Sequence, residues 1–169
     1  MEGAVVWFTG LSGAGKTTIA RAVALELERE AKRVELLDGD ALRAVMPTGF
    51  SREDRDQHVR RVGWFASRLE HHGVIVLASL VSPYREARAF VRGLCRRFIE
   101  VHVATPLEEC ERRDVKGLYA RARRGEIKAF TGIDDPYEPP VAAEIVIDTT
   151  KVTENEAARG VIEALRRTA

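Results

Sequence analysis

The chain has 169 residues, 45% of them hydrophobic and 31% charged, with a formal net charge of +1. That balance argues against a disordered polymer, and a charge so near zero gives no bulk attraction to nucleic acid or to a membrane surface. The length suits one domain with a sizeable core, and no Pro/Gly/Ser-rich linker divides it.

The first apolar run, Ala4–Thr9, predicts a buried strand. It is too short to span a bilayer, and no basic segment of the signal-peptide kind precedes it, so the cytoplasm is the expected location. Gly10-Leu11-Ser12-Gly13-Ala14-Gly15-Lys16-Thr17 follows and matches G-x-x-x-x-G-K-[ST], with a helical pattern over Thr17–Glu30 behind it. Strand, glycine-rich loop and helix make a phosphate cradle. Glycines let backbone N–H groups approach an anion, and the helix adds its positive N-terminal end. Gly10, Leu11, Ser12, Gly13, Ala14, Gly15, Lys16, Thr17 and Thr18 are therefore the expected ATP-binding residues. Lys16 reaches the β- and γ-phosphates, and the Thr17 hydroxyl is placed to ligate Mg²⁺.

The second strand, Arg33–Asp38, ends in Leu37-Asp38-Gly39-Asp40. Read as an extended segment, this puts both carboxylates on one side, where one can hold metal-bound water and the other can accept a proton from an acceptor hydroxyl. A helix is expected over Arg52–His71 and a third strand over Val74–Ser79. That strand runs into Ala78-Ser79-Leu80-Val81-Ser82 and carries no terminal acid, unlike an ATPase motor. There is no N-K-x-D motif of the kind that reads guanine. Helix Tyr84–Cys95, strand Phe98–Ala104 and helix Leu107–Asp114 come next. Lys116–Pro140 is polar and rich in Gly and Pro, with a short helix near Leu118–Arg124, and is expected to be a mobile lid. Strand Glu144–Asp148 and helix Thr153–Arg167 complete the pattern. Alternating strands and helices predict an α/β fold: a three-layer α/β/α P-loop NTPase with a mostly parallel five-stranded sheet and a lid. Ligands then sit at the carboxyl ends of the strands. Cys95 and Cys110, in no metal-type spacing, are expected to be buried free thiols in a reducing compartment.

Four blocks make the reading more specific. They are Gly10–Thr18; Leu37–Asp40 with Gly49-Phe50-Ser51-Arg52-Glu53-Asp54-Arg55 and Arg60-Arg61; Val81-Ser82-Pro83-Tyr84-Arg85; and Lys116-Gly117-Leu118-Tyr119 with Phe130-Thr131-Gly132-Ile133-Asp134-Asp135-Pro136-Tyr137-Glu138. Together they resemble the adenylylsulfate kinases over nearly the whole length, and the last two blocks discriminate far better than the P-loop. The resemblance implies transfer of the ATP γ-phosphate to the 3′-hydroxyl of adenosine 5′-phosphosulfate, with Mg²⁺ as cofactor.

It also implies site roles. Phe50 and Phe130 would sandwich the substrate adenine, with stacking worth about 1–3 kcal/mol per face. Arg43, Arg55 and Lys116 would meet the phosphosulfate or nearby ribose. Asp40 is the candidate base, and Asp38 would hold the Mg²⁺ water shell. Val81 and Ser82 match a substrate-contacting pair. A phosphoserine at Ser82 is described for the family, but the sequence offers it no dedicated base, so a hydrogen bond to substrate is its expected role. His58 stands where the family commonly has Asn, and can titrate near neutral pH. Asp114-Val115-Lys116-Gly117 replaces Asp-Pro-Lys-Gly, and Val45-Met46-Pro47-Thr48 is a shorter loop than usual. Family members are often dimers, so a homodimer is expected by resemblance, as is a functional link to a sulfate adenylyltransferase. Two other readings stay open from sequence: a kinase for another small molecule on the same fold, and a nucleotide-binding module without catalysis.

Overall fold

The computed structural model describes residues 2–168. In chain order the elements are β1 (Ala4–Thr9), α1 (Lys16–Arg29), β2 (Val34–Asp38), α2 (Gly39–Val45), α3 (Arg52–His71), β3 (Ile75–Ser79), α4 (Arg85–Leu94), β4 (Phe98–Val103), α5 (Leu107–Arg113), α6 (Leu118–Arg123), β5 (Ile145–Ile147) and α7 (Glu154–Arg167). The five strands form one sheet in the order β2-β3-β1-β4-β5, and every neighbouring pair is parallel.

The sheet explains the apolar runs. Side chains alternate across a strand, so a central parallel strand needs apolar residues at every position. β1 sits in the middle and is buried throughout. Val6 and Phe8 face a core built with Ile19, Val23 and Leu27 of α1 and Val161 and Leu165 of α7. Val5 and Trp7 face the opposite core, with Val59 and Val62 of α3 and Val91 of α4. Three layers follow from that alternation.

The edges depart from a sheet buried on both faces. Leu36 of β2 is 38% exposed and Val146 of β5 is 65% exposed. β5 spans three residues rather than five, because Glu144 leaves the ladder. Its carboxylate instead accepts hydrogen bonds from Arg92 and from the backbone N–H of Glu100. Cys110 is buried and Cys95 half-buried, both free, and burial pushes the Cys95 thiol up to about 12.

One element went unread in the sequence. Residues 39–45 form α2, so Asp38-Gly39-Asp40 is not extended beyond Asp38. Asp38 is the N-cap, its Oδ1 accepting from the backbone N–H groups of Asp40 and Ala41. An aspartate satisfying the open N–H groups of a first turn is a strong helix start, and the Ala-Leu-Arg-Ala that follows favours continuation. The expected lid carries α6 where a short helix was anticipated. Beyond Arg123 it has only one isolated bridge, Thr131 to Asp135, before β5.

Among the described residues no helix is long and apolar enough to cross a membrane.

Candidate functional site

β1 runs directly into the loop Gly10–Gly15, and the α1 helix behind it reaches the carboxyl end of β2 through Thr17 and Asp38. Gly15 precedes α1 with φ 106°, a left-handed conformation that a side chain would strain. The carbonyls of this loop all have partners. Gly10 and Leu11 accept from Lys16 Nζ at 2.9 and 2.7 Å. Ser12 accepts from the Tyr119 hydroxyl at 2.7 Å, and Gly13 from Arg113 at 3.3 Å. Ala14 accepts from Thr105 and Thr149, at 2.8 and 3.2 Å, and Gly15 from Ile19 N–H. With these carbonyls engaged, the loop keeps its amides for an anion, apart from that of Ala14, which bonds the Leu11 carbonyl. Tyr119, Arg113, Thr105 and Thr149 were missed in the sequence reading. They come from segments distant in sequence, and no local motif marks them.

Lys16 is buried, and its ammonium is held down to about 8 from the ordinary lysine value. Desolvation is the larger cause and the Lys116 charge the next, partly offset by Cys110, Asp40 and Asp38. Thr17 donates to Asp38 Oδ2 at 2.8 Å. Burial alone would push the Asp38 carboxyl up. The Thr17 hydroxyl, the amides of Ala41 and Asp40 and the Lys116 charge outweigh it and hold the group below the usual carboxylate range. Asp38 is thus fixed and ionised. Asp40, in the first turn of α2, is exposed and pairs with Lys116 through one carboxylate oxygen. Thr18 is exposed and borders a cleft of about 210 Å³ with Gly15, Arg113, Thr149, Val152 and Glu154.

A second cluster lies at the start of α3. Arg43 sits 4.7 Å over the Phe50 ring and donates to the carbonyls of Thr48 and Gly49, while Phe50 is 63% exposed. His58 is buried with Nε2 unpartnered. Burial first, then the Arg43 and Arg61 charges, holds its imidazole below the ordinary histidine value, so it is neutral near pH 7.

Arg55 does not stand free for a substrate anion. It is buried, and it binds the lid at three points: Asp135 at 2.8 Å, Thr131 at 3.2 Å and the Ala129 carbonyl. Asp135 also accepts from the Tyr84 hydroxyl at 2.9 Å. Phe130 is half-buried and meets Tyr119 edge-on at 5.0 Å, and Tyr119 in turn holds the Ser12 carbonyl. A Cβ at Gly132 would stand 3.1 Å from Leu11, so the lid lies directly on the P-loop. Phe130 reaches the P-loop through Tyr119 and Phe50 lies under Arg43 of α2, and among the described residues no ring contact joins the two phenylalanines.

Ser82, expected to contact substrate, turns its hydroxyl into the core. Its side chain is buried; Oγ accepts from Trp7 Nε1 at 3.1 Å and lies 3.3 Å from the Leu80 carbonyl, to which it donates. Its backbone is in the left-handed region, φ 41°, costly for a residue with a Cβ. Arg88 and Thr9 hold that turn by donating to the Ser82 carbonyl. Ser82 is therefore a built-in bend, with its hydroxyl committed to the core. Val81 remains half-exposed at the strand end.

Comparison with known proteins agrees with this geometry. The family model described as Adenylylsulphate kinase matches residues 2–148. An adenylyl-sulfate kinase of Synechococcus sp. (strain JA-3-3Ab) is 54% identical over 167 residues, covering 98% of this chain and 95% of that one. The APS kinase of Mycobacterium tuberculosis, solved in complex with AMPPNP and APS, superposes with a TM-score of 0.93 at 42% identity, covering 98% of both chains. A hexameric APS kinase from Thiobacillus denitrificans has a TM-score of 0.75 and 35% identity, covering 98% of this chain and 29% of that one.

The Arg55–Asp135 pair makes a direct prediction. Asp135→Asn leaves Arg55 short of a charged partner, a loss worth about 1.5–3 kcal/mol. Hydrogen exchange at the backbone amides of residues 129–135 is expected to quicken by roughly one to two orders of magnitude, with little change in β1. Unchanged exchange in the lid would mean that the pair does not hold it.

Proposed function

The chain belongs to the adenylylsulphate kinase family, and from that premise we propose how its residues divide the work of the reaction. The enzyme transfers the γ-phosphate of ATP to the 3′-hydroxyl of adenosine 5′-phosphosulfate, giving ADP and 3′-phosphoadenylylsulfate. The observation that carries the residue assignment is the unequal state of two neighbouring carboxylates. Asp38 is pinned on both oxygens, whereas Asp40 keeps one oxygen free at the open end of the sheet.

The amides of Gly10–Thr18 bind the triphosphate, and Lys16 leaves the loop carbonyls to meet the β- and γ-phosphates. The cleft beside Thr18, with Arg113, Thr149 and Val152, takes the ATP nucleoside. Among the described residues no group of three or more His, Cys, Asp or Glu could hold a metal. Thr17 and ionised Asp38 nonetheless fit Mg²⁺, a hard cation that takes few protein ligands and keeps much of its water. When bound, Mg²⁺ supplies charge neutralisation across the β- and γ-phosphates. Phe50 and Phe130 hold the acceptor adenine, Arg43 and Lys116 meet its phosphosulfate or ribose, Arg55 joins them only by exchanging its lid contacts for the acceptor, and His58 serves as a neutral hydrogen-bonding group. Asp40 orients the 3′-hydroxyl and accepts its proton as the phosphoryl group moves in line. Ser82 acts by shaping the bend after β3, not as a phosphorylated intermediate.

The chain works as one kinase domain, with residues 116–140 excluding water as a lid. The two free thiols support a reducing cytoplasm. A functional link to a sulfate adenylyltransferase belongs to the same proposal; co-purification of the two in a pull-down tests it. Exposed Trp64, Phe65 and Phe90 on the α3–α4 layer support a homodimer. Sedimentation should return twice the chain mass, and a single-chain mass at micromolar concentration would count against it.

Adenylylsulfate is expected to be the acceptor that drives ADP release in a coupled assay across a small panel. Asp40→Asn should lower kcat by roughly 10²–10⁴-fold, the range for losing a general base. Full activity in that variant would remove Asp40 from the base role without touching the substrate assignment.

Nucleotide binding should also depend on pH through Lys16. Phosphates favour the charged ammonium, so its pKa rises from about 8 on binding and the complex takes up protons near that pH. Affinity is full below about pH 8 and falls by up to about tenfold per pH unit above it, until the bound-state pKa is passed. Calorimetry at pH 8 in two buffers of different ionisation heat measures the uptake; identical heats would contradict it.

A further inference from the structure

Beside the Thr17–Asp38 hydrogen bond lies a small cavity of about 70 Å³ that none of the roles above employs. Thr17, Asp38 and Ser79 supply its polar wall, and Ala20, Leu36 and Leu77 its apolar one. Ser79 is 4% exposed, and its Oγ has no hydrogen-bond partner. Ser79 and Asp38 are direct register partners on adjacent parallel strands, so their side chains leave the sheet on the same face. Arg21 also borders the cavity, but its side chain is exposed and makes no hydrogen bond to Ser79.

A buried hydroxyl left unpaired is costly and uncommon, and a polar cavity of this size readily takes water. The contrast within the site is sharp. Ser82, three residues on, has its hydroxyl paired on both sides, and every carbonyl of Gly10–Gly15 is met. Among the described residues, Ser79 is the buried hydroxyl left without a partner beside the two residues assigned to the cation.

We propose that Ser79 completes the Mg²⁺ site as an outer-shell residue: its hydroxyl, through this cavity, accepts a hydrogen bond from water of the cation's hydration shell, next to Asp38. A serine at the end of β3 suits that task. A second carboxylate there would add fixed charge beside Asp38, whereas a hydroxyl positions water without binding the ion directly. Ser79 is thus a positioning residue, and the inference rests on the assignment of Thr17 and Asp38 to the metal.

The test is metal affinity, independent of turnover. Mn²⁺ binding is followed by electron paramagnetic resonance in the presence of a non-hydrolysable ATP analogue, for wild type, Ser79→Ala and Ser79→Thr. Analogue binding is measured in parallel in excess chelator. The expected result is a 10- to 100-fold weaker Mn²⁺ affinity in Ser79→Ala, near wild-type affinity in Ser79→Thr, and metal-free analogue binding unchanged in both. Wild-type Mn²⁺ affinity in Ser79→Ala overturns the proposal, leaving the cavity an ordinary water pocket. Equal weakening in Ser79→Ala and Ser79→Thr, or loss of analogue binding in chelator, also overturns it, because packing around the P-loop would then be the cause. A wild-type protein whose analogue complex takes up no Mn²⁺ would instead defeat the Thr17–Asp38 metal assignment, and Ser79's place with it.

Discussion

The structure depends on where the P-loop carbonyls point. A glycine-rich loop that binds an anion must turn its N–H groups inward, so its C=O groups turn toward protein and need partners there. Here those partners come from α1, α5, α6 and the ends of β4 and β5: Lys16 and Ile19, Arg113, Tyr119, Thr105 and Thr149. The loop is therefore shaped by the whole carboxyl edge of the sheet rather than by its own sequence. Its cationic centre is shaped the same way. Burial and the nearby Lys116 charge make the Lys16 ammonium unusually uncomfortable until phosphates arrive, which makes triphosphate binding favourable out of proportion to one lysine.

The lid is tied into that constraint. Tyr119 holds the Ser12 carbonyl with its hydroxyl and meets Phe130 with its ring, while Gly132 rests on Leu11. Arg55, from the opposite side of the cleft, holds the segment Ala129–Asp135. The residue expected to bind the substrate anion is thus the residue that holds the lid in place. In the proposed assignment, acceptor binding and lid position share one guanidinium, so a change at one is felt at the other. Such shared contacts give closure a thermodynamic reason, since a ligand shifts a conformation only through its different contacts in the two states.

Legibility in the sequence followed the range of the interactions. Strands and long helices were readable because apolar period and capping are local: Ser51 and Thr153 both begin helices with capping boxes, and β1 is apolar at every position. The P-loop was readable because its glycines and lysine are contiguous. α2 was not read, because Asp-Gly suggests a turn, and an N-cap looks the same as a turn until the following N–H groups are seen to bind it. The surroundings of Ser82 were hidden for a different reason. Its hydroxyl is claimed by Trp7, 75 residues away in sequence, and its carbonyl by Arg88. Long-range pairing of that kind leaves no local mark. The edge exposure of β2 and β5 was also hidden, since strand order is a property of the assembled sheet.

The misread α2 also explains how two aspartates separated by one glycine acquire different chemistry. Had the segment stayed extended, both carboxylates would have faced the same solvent and the same cations, with little to distinguish their proton affinities. The helix start breaks that symmetry. Asp38 becomes the cap, held by two amides and a threonine hydroxyl, and its charge is locked in. Asp40 moves onto the first turn, exposed, with a single lysine contact. A carboxylate that is locked can organise a cation and its water but makes a poor proton acceptor, because a proton on either oxygen would compete with a donor already bound there. A carboxylate left with a free oxygen can take a proton at little structural cost. In the proposed mechanism, the first turn of α2 thus separates the two roles that phosphoryl transfer requires, holding charge and receiving a proton, without needing a third acid on β3.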